Sequence, residues 1–142
     1  MKKFYYLFTL VFVFCIPSVF AGFFLVNYIS LSALIPFVIT VTIIGSIWDV
    51  WATRHSKKDR IWLWQFNKKQ TIGIKFLGLP IEEYVFYTAS SVYVIFMWEG
   101  IKLMILHNTI QTYSMVLLLS IWTVIAIGVP YIFAPKKDKF IG

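Results

Sequence analysis

Four of the six acidic residues in this 142-residue chain sit at the edges of apolar stretches, where a carboxyl group can do acid–base work. Asp49 closes one stretch, Glu82 and Glu83 open the next, and Glu99 closes that one. Placing a charge in hydrocarbon costs roughly 2.5–3.5 kcal/mol even on lenient scales, so an ionisable residue there is a functional candidate by default. Neighbours in a helix point about 100° apart, so one of Glu82 and Glu83 can face a bundle interior while the other faces lipid headgroups or a partner chain. Adjacent carboxyls titrate as a unit, and an acid beside a carboxylate can give up a proton and take one back. The same string, Leu79-Pro80-Ile81-Glu82-Glu83, also reads as an ordinary helix start, with proline at the first position and acids answering the helix dipole.

Aromatic side chains crowd the same end. Trp48, Trp51, Trp62, Trp64, Phe66, Tyr84, Phe86 and Tyr87 all fall there in a chain that is 20% aromatic. They read either as an interfacial belt or as ring faces that stabilise a carbocation, each by up to about 2 kcal/mol when desolvated. Carboxylic acid, carboxylate and ring faces together suit acid-initiated rearrangement of an alkene.

Other chemistries lack their residues. Gly73 and Gly78 flank Ile74-Lys75-Phe76-Leu77 without the Gly-x-Gly or Gly-Lys-Ser/Thr pattern that cradles phosphates, so no nucleotide or flavin cofactor is expected. His55 and His107 have no Cys or His nearby, so no metal site is expected. No Asp-rich pair that would hold magnesium diphosphate is present, which argues against prenyl transfer. Cys15, the single cysteine, can form no intrachain disulfide.

The elements that must position these residues follow from hydropathy. Hydrophobic types make up 60% of the chain and charged types 13%, against about 45–50% and 25% in soluble domains. The expected fold is all-α and integral to a membrane, a single domain over residues 1–142. Phe4 to Trp48 carries no charge, a stretch of 45 residues that fits two spans of about 20 joined by a turn at Asn27–Ser32. The expected spans are 4–26, 32–51, 79–98 and 113–133, with a basic loop over 52–78 and a polar link containing Glu99, Lys102, His107, Asn108 and Gln111. Pro36 falls in the first turns of its helix, where a missing N–H costs least.

Lys and Arg outside these spans alternate from side to side, and 12 of the 13 share one side. The positive-inside rule then puts both termini and the basic loop in the cytoplasm, in the cell membrane. The loop's cations suit anionic headgroups, and no nucleic-acid role is expected. Residues 1–21 also resemble a secretory signal ending Ser18-Val19-Phe20-Ala21. The apolar run continues through Val26 with bulky aromatics, which suits a retained span better.

Trp48-Asp49-Val50-Trp51-Ala52-Thr53, Trp64-Gln65-Phe66-Asn67, Gly73, and Leu79-Pro80-Ile81-Glu82-Glu83-Tyr84-Val85-Phe86-Tyr87 resemble, in this order, the lycopene cyclase domain of heterodimeric bacterial, archaeal and fungal carotenoid cyclases. The resemblance implies a redox-neutral isomerase of the intramolecular lyase type, working without bound flavin, that folds the linear ends of a carotenoid into rings. It implies Glu82, Glu83 and Asp49 as the catalytic acids. Trp48, Trp51, Trp64, Phe66, Tyr84 and Tyr87 would line the substrate and steady the cation, with Asn67 and Pro80 structural. Members of the family carry two such domains or act as two small subunits, whereas this chain holds one motif copy. A second cyclase subunit or a homodimer is therefore expected, beside a lipid-soluble carotenoid. Two other readings stand: a non-catalytic four-helix membrane subunit, and a hydratase-like enzyme in which water captures the same cation.

Overall fold

The computed structural model describes residues 4–58 and 69–133. Its elements are α1 (Tyr5–Leu25), α2 (Leu31–Lys58), a short hairpin of β1 (Lys75–Phe76) and β2 (Leu79–Pro80), α3 (Ile81–His107) and α4 (Ile110–Phe133). Among the described residues, four helices are long and apolar enough to cross a membrane.

Helix α1 is α-helical except at a π turn over Val11–Cys15. Pro17 follows after one residue and has no N–H to donate one turn back, so a widened turn upstream relieves the mismatch. The Trp122 indole N–H donates to the Phe12 carbonyl inside this turn at 3.1 Å. A carbonyl freed from the helical ladder in an apolar setting needs such a partner. The π turn and α4 are thereby locked together.

Helix α3 is the hub and packs against α1, α2 and α4. Its middle and C-terminal turns bury Tyr93 and Leu103 in a core with Ala21, Leu25, Met115 and Leu119. Phe14 meets Phe86 and Tyr93 edge-on, each at 5.8 Å between ring centres, an arrangement favoured by the ring quadrupoles. The Tyr93 hydroxyl pairs with that of Thr123. Helix α2 packs chiefly along α3, with a smaller contact to β2.

Helix ends depart from the hydropathy expectation. Expected to stop at 98, α3 runs to His107, and the expected link shrinks to Asn108 and Thr109. Polar residues alone do not end a helix; a cap does. Asn108 supplies it, in the left-handed conformation (φ 49°) with its N–H on the Met104 carbonyl at 3.1 Å. Thr109 then caps α4, receiving the Thr112 N–H. Within the extended α3, Lys102 pairs with Glu99 at 2.6 Å across one turn. Helix α2 likewise passes residue 51 and continues to Lys58, so the first part of the expected loop is helical. Pro36 is the sixth residue of α2, deeper than the turns where its missing N–H would be free of cost.

The hairpin turns at Leu77 and Gly78, both with positive φ (51° and 90°), the geometry of a tight two-residue turn. Glycine adopts it freely. For leucine the left-handed region costs about 1–2 kcal/mol. Register is fixed by Lys75 opposite Pro80 and Phe76 opposite Leu79.

Candidate functional site: a carboxyl pair gripped by two tyrosines

Local chain geometry decides where each acid goes. Pro80 precedes α3 as its N-cap rather than serving as its first residue, and Glu82 and Glu83 fill the first turn. Both glutamates are buried, Glu82 at 0% and Glu83 at 3% exposure. The expectation that one of them faces headgroups or a partner chain is therefore corrected. The reason is the segment before the hairpin, which folds over Glu82: the Ile72 N–H donates to Glu82 Oε1 at 2.6 Å. The same segment reaches α1, where the Tyr6 N–H donates to the Gln70 carbonyl at 3.3 Å. Glu82 thus straps the 70–72 backbone onto the first turns of α1 and α3, while its Oε2 is buried without a hydrogen-bond partner.

Glu83 faces the other way, toward α1 and α2. Its Oε1 accepts the Tyr6 hydroxyl at 2.5 Å, and the Asp49 carboxyl lies within hydrogen-bonding reach of it. Asp49, 7% exposed, accepts the Tyr87 hydroxyl on Oδ2 at 2.8 Å. Tyr87 stands one helical turn after Glu83, so α3 presents an acid and a phenol on one face. Gly45 stands one turn before Asp49 and makes room for this arrangement, because a Cβ at position 45 would collide with the Tyr87 ring. Of the three acids expected to be catalytic, Asp49 and Glu83 meet, and Glu82 is turned to the strap. Among the described residues, no three of His, Cys, Asp and Glu converge closely enough to hold a metal ion.

The expected aromatic lining is only partly assembled around this pair. Tyr87 belongs to it, and Phe86 stacks edge-on against Tyr87 at 5.3 Å. Tyr84 instead donates its hydroxyl to the Phe76 carbonyl at 2.9 Å, bracing the hairpin. Trp48 and Trp51 lie on the exposed face of α2, against each other at 5.2 Å, and Trp51 also meets His55 at 4.6 Å. Their positions on α2 are about 100° and 200° around the helix from Asp49, which turns them from the carboxyls. Trp64, Phe66 and Asn67 lie outside the described residues. Tyr6 is the site residue that sequence reasoning missed. It is one aromatic in a run of them, and nothing in its spacing marks it as the partner of an acid 77 positions away.

A groove of about 540 Å³ runs between α2, α3 and the hairpin, with Thr42, Ile43, Ser46, Ile47, Trp51, Phe76 and Tyr84 in its walls. The Ser46 Oγ is buried there without a partner, and the Thr42 and Thr88 hydroxyls meet across the seam at 3.3 Å. A second groove of about 470 Å³ lies between α1 and α3 and shares Tyr84 with the first. Both are mainly apolar, although Arg54 and His55 also line the first, and Asp49, Glu83 and Tyr87 line neither.

Two buried acids from different helices, each held by a phenol and walled by aromatic rings, form a site able to move a proton in the absence of bulk water. No curated protein and no solved structure matched the sequence. The family model described as lycopene cyclase matches residues 2–101, which include α1, α2, the strap, the hairpin and all three acids. A match over that much of the molecule shows that the chain belongs to the lycopene cyclase family.

Proposed function

We propose that this chain is a membrane-embedded carotenoid end-group cyclase subunit, and that Asp49 and Glu83 perform its proton chemistry. The observation that carries the proposal is the meeting of these two carboxyls from α2 and α3, each hydrogen-bonded by a tyrosine. Family membership supports a cyclase-type activity.

In the proposed reaction a proton held between Asp49 and Glu83 is delivered to the terminal double bond of the polyene. The resulting tertiary cation is attacked by the π electrons of the next double bond, which closes a six-membered ring. A ring carbon then loses a proton to the carboxylate left behind, so the product is an isomer of the substrate and the pair is restored. General acid catalysis of this kind contributes about 10²–10⁴-fold. Tyr6 and Tyr87 keep the two carboxyls in register, and the rings of Tyr87 and Phe86 offer faces to the cation. Exclusion of water matters because water would capture the cation as an alcohol.

We further propose that both termini and the basic loop are cytoplasmic, that the host is the cell membrane, and that a second subunit or second copy completes the site. The exposed apolar face of α2, which carries Ile44, Ile47 and Trp48, favours a partner along that side.

The test is carotenoid chromatography with mass detection in lycopene-accumulating cells expressing the chain alone or beside the complementary subunit of a heterodimeric cyclase. A product of unchanged mass and shorter conjugated chromophore supports cyclisation, and the arm in which it forms reports the partner requirement. A product heavier by one water would show a hydratase. Unaltered lycopene in both arms, with the protein present in the membrane, would count against the proposal and favour a non-catalytic four-helix subunit.

A further inference from the structure

We propose that the hairpin over residues 74–80 is a membrane-inserted element, with the Phe76 and Leu77 side chains seated among the acyl chains at the basic end of the bundle. The proposal rests on reading the four apolar helices as spans, and it concerns a segment that hydropathy assigns to the extramembrane loop.

The tip is built the wrong way for water. Phe76 and Leu77 are 60% and 62% exposed, and Ile74 beside them is exposed as well. Leu77 also occupies a left-handed backbone position (φ 51°) that a glycine or asparagine would take with less strain. Within the chain this leucine gains no burial to offset the strain. Insertion of its side chain into lipid supplies that gain.

The backbone behind the turn is largely paired, so the Phe76 and Leu77 side chains can enter the acyl region while the turn itself stays at the headgroup boundary. An apolar medium tolerates a peptide segment only where its N–H and C=O groups are satisfied. Here β1 and β2 pair with each other, the Ile81 N–H closes on the Ile74 carbonyl at 3.0 Å, and the Phe76 carbonyl takes the Tyr84 hydroxyl. Pro80 has no N–H to satisfy. Lys75, the one charge in the segment, has a stem long enough to reach headgroups from an apolar position. The basic residue Arg54 at this end of the bundle matches an anionic lipid surface.

Insertion has a consequence for the larger groove. Phe76 and Leu77 form its lip, so a seated tip makes that groove open to the leaflet rather than to water. An apolar chain of any length could then slide in sideways from the bilayer.

The experiment uses the full chain reconstituted in vesicles of phosphatidylcholine and phosphatidylglycerol. In a Cys15→Ser background, Leu77→Cys and, separately, Ile43→Cys in the middle of α2 carry a nitroxide spin label. Relaxation by oxygen, which concentrates in lipid, is compared with relaxation by a water-soluble nickel chelate. The expected result is a several-fold preference for oxygen at position 77, of the same sign as at position 43. Preference for the nickel chelate at 77 with oxygen preferred at 43 overturns the hairpin proposal alone. Access by neither agent at 77 overturns it in favour of a protein partner over the tip. Nickel access at both positions overturns the spans as well. Phe76→Cys repeats the measurement should Leu77→Cys not fold.

Discussion

Gly45 and Tyr87 are packed so closely across the seam of α2 and α3 that no β-carbon fits at position 45. Because Tyr87 donates to Asp49 one turn further along α2, this contact sets the height of the phenol against the carboxyl. Gly45→Ala therefore pushes the ring off Asp49. Overpacking of this kind costs about 1–3 kcal/mol, and thermal unfolding in detergent should show it. Product formation is expected to fall further than the remaining folded fraction, as read by chromatography normalised to membrane protein.

Glu83→Gln and Asp49→Asn are expected to reduce ring formation by about 10²–10⁴-fold at unchanged protein level, because each amide can hold the tyrosine hydroxyl yet cannot exchange a proton. Ring formation at wild-type rates by either variant would remove the pair from the mechanism.

Glu82 is expected to behave differently from its neighbour. Glu82→Gln keeps a carbonyl acceptor for the Ile72 N–H and should retain most activity. Glu82→Ala leaves that buried donor unpaired, at a cost of about 1–3 kcal/mol, and should lower thermal stability and protein yield. Equal loss of turnover in Glu82→Gln and Glu83→Gln, at equal stability, would contradict the separation of roles.

Tyr6→Phe removes only the hydroxyl that holds Glu83. Turnover is expected to drop while the substrate concentration for half-maximal rate stays put. Combined with Glu83→Gln the loss should be far from additive, since Tyr6 acts only through the proton exchange that Glu83→Gln has already abolished. Full additivity would mean that Tyr6 acts elsewhere.

Trp122→Phe keeps the ring against Phe12 but deletes the N–H on the carbonyl of the π turn. A loss of about 0.5–1.5 kcal/mol is expected, visible as a lower unfolding temperature, with cyclisation per folded molecule unchanged.

Much of this protein is legible from residue types alone. Apolar runs long enough for a bilayer define four helices, because hydropathy is a sum over neighbours and needs no tertiary information. The acids at the span edges stand out for the same reason, each being costly where it sits, and the order of Asp49, Asn67, Pro80, Glu82 and Glu83 carries the family resemblance. Helix ends were less legible: Asn108 stops α3 by a backbone conformation and a single hydrogen bond, whereas the hydropathy change nine residues earlier does nothing.

Only the tertiary structure separated Glu82 from Glu83, two identical side chains at adjacent positions. Their roles depend on what packs against each face of α3: the 70–72 strap on one, Asp49 and Tyr6 on the other. The partnership of Tyr6 with Glu83 spans 77 positions, and the place of Tyr87 depends on a glycine in another helix. Such relationships arise from how helices dock, and docking is decided by the fit of whole surfaces, which no local window of sequence contains. The outward turn of Trp48 and Trp51 has the same origin, since the side of α2 that meets α3 is chosen by Gly45 and Asp49 rather than by the larger aromatic side chains beside them.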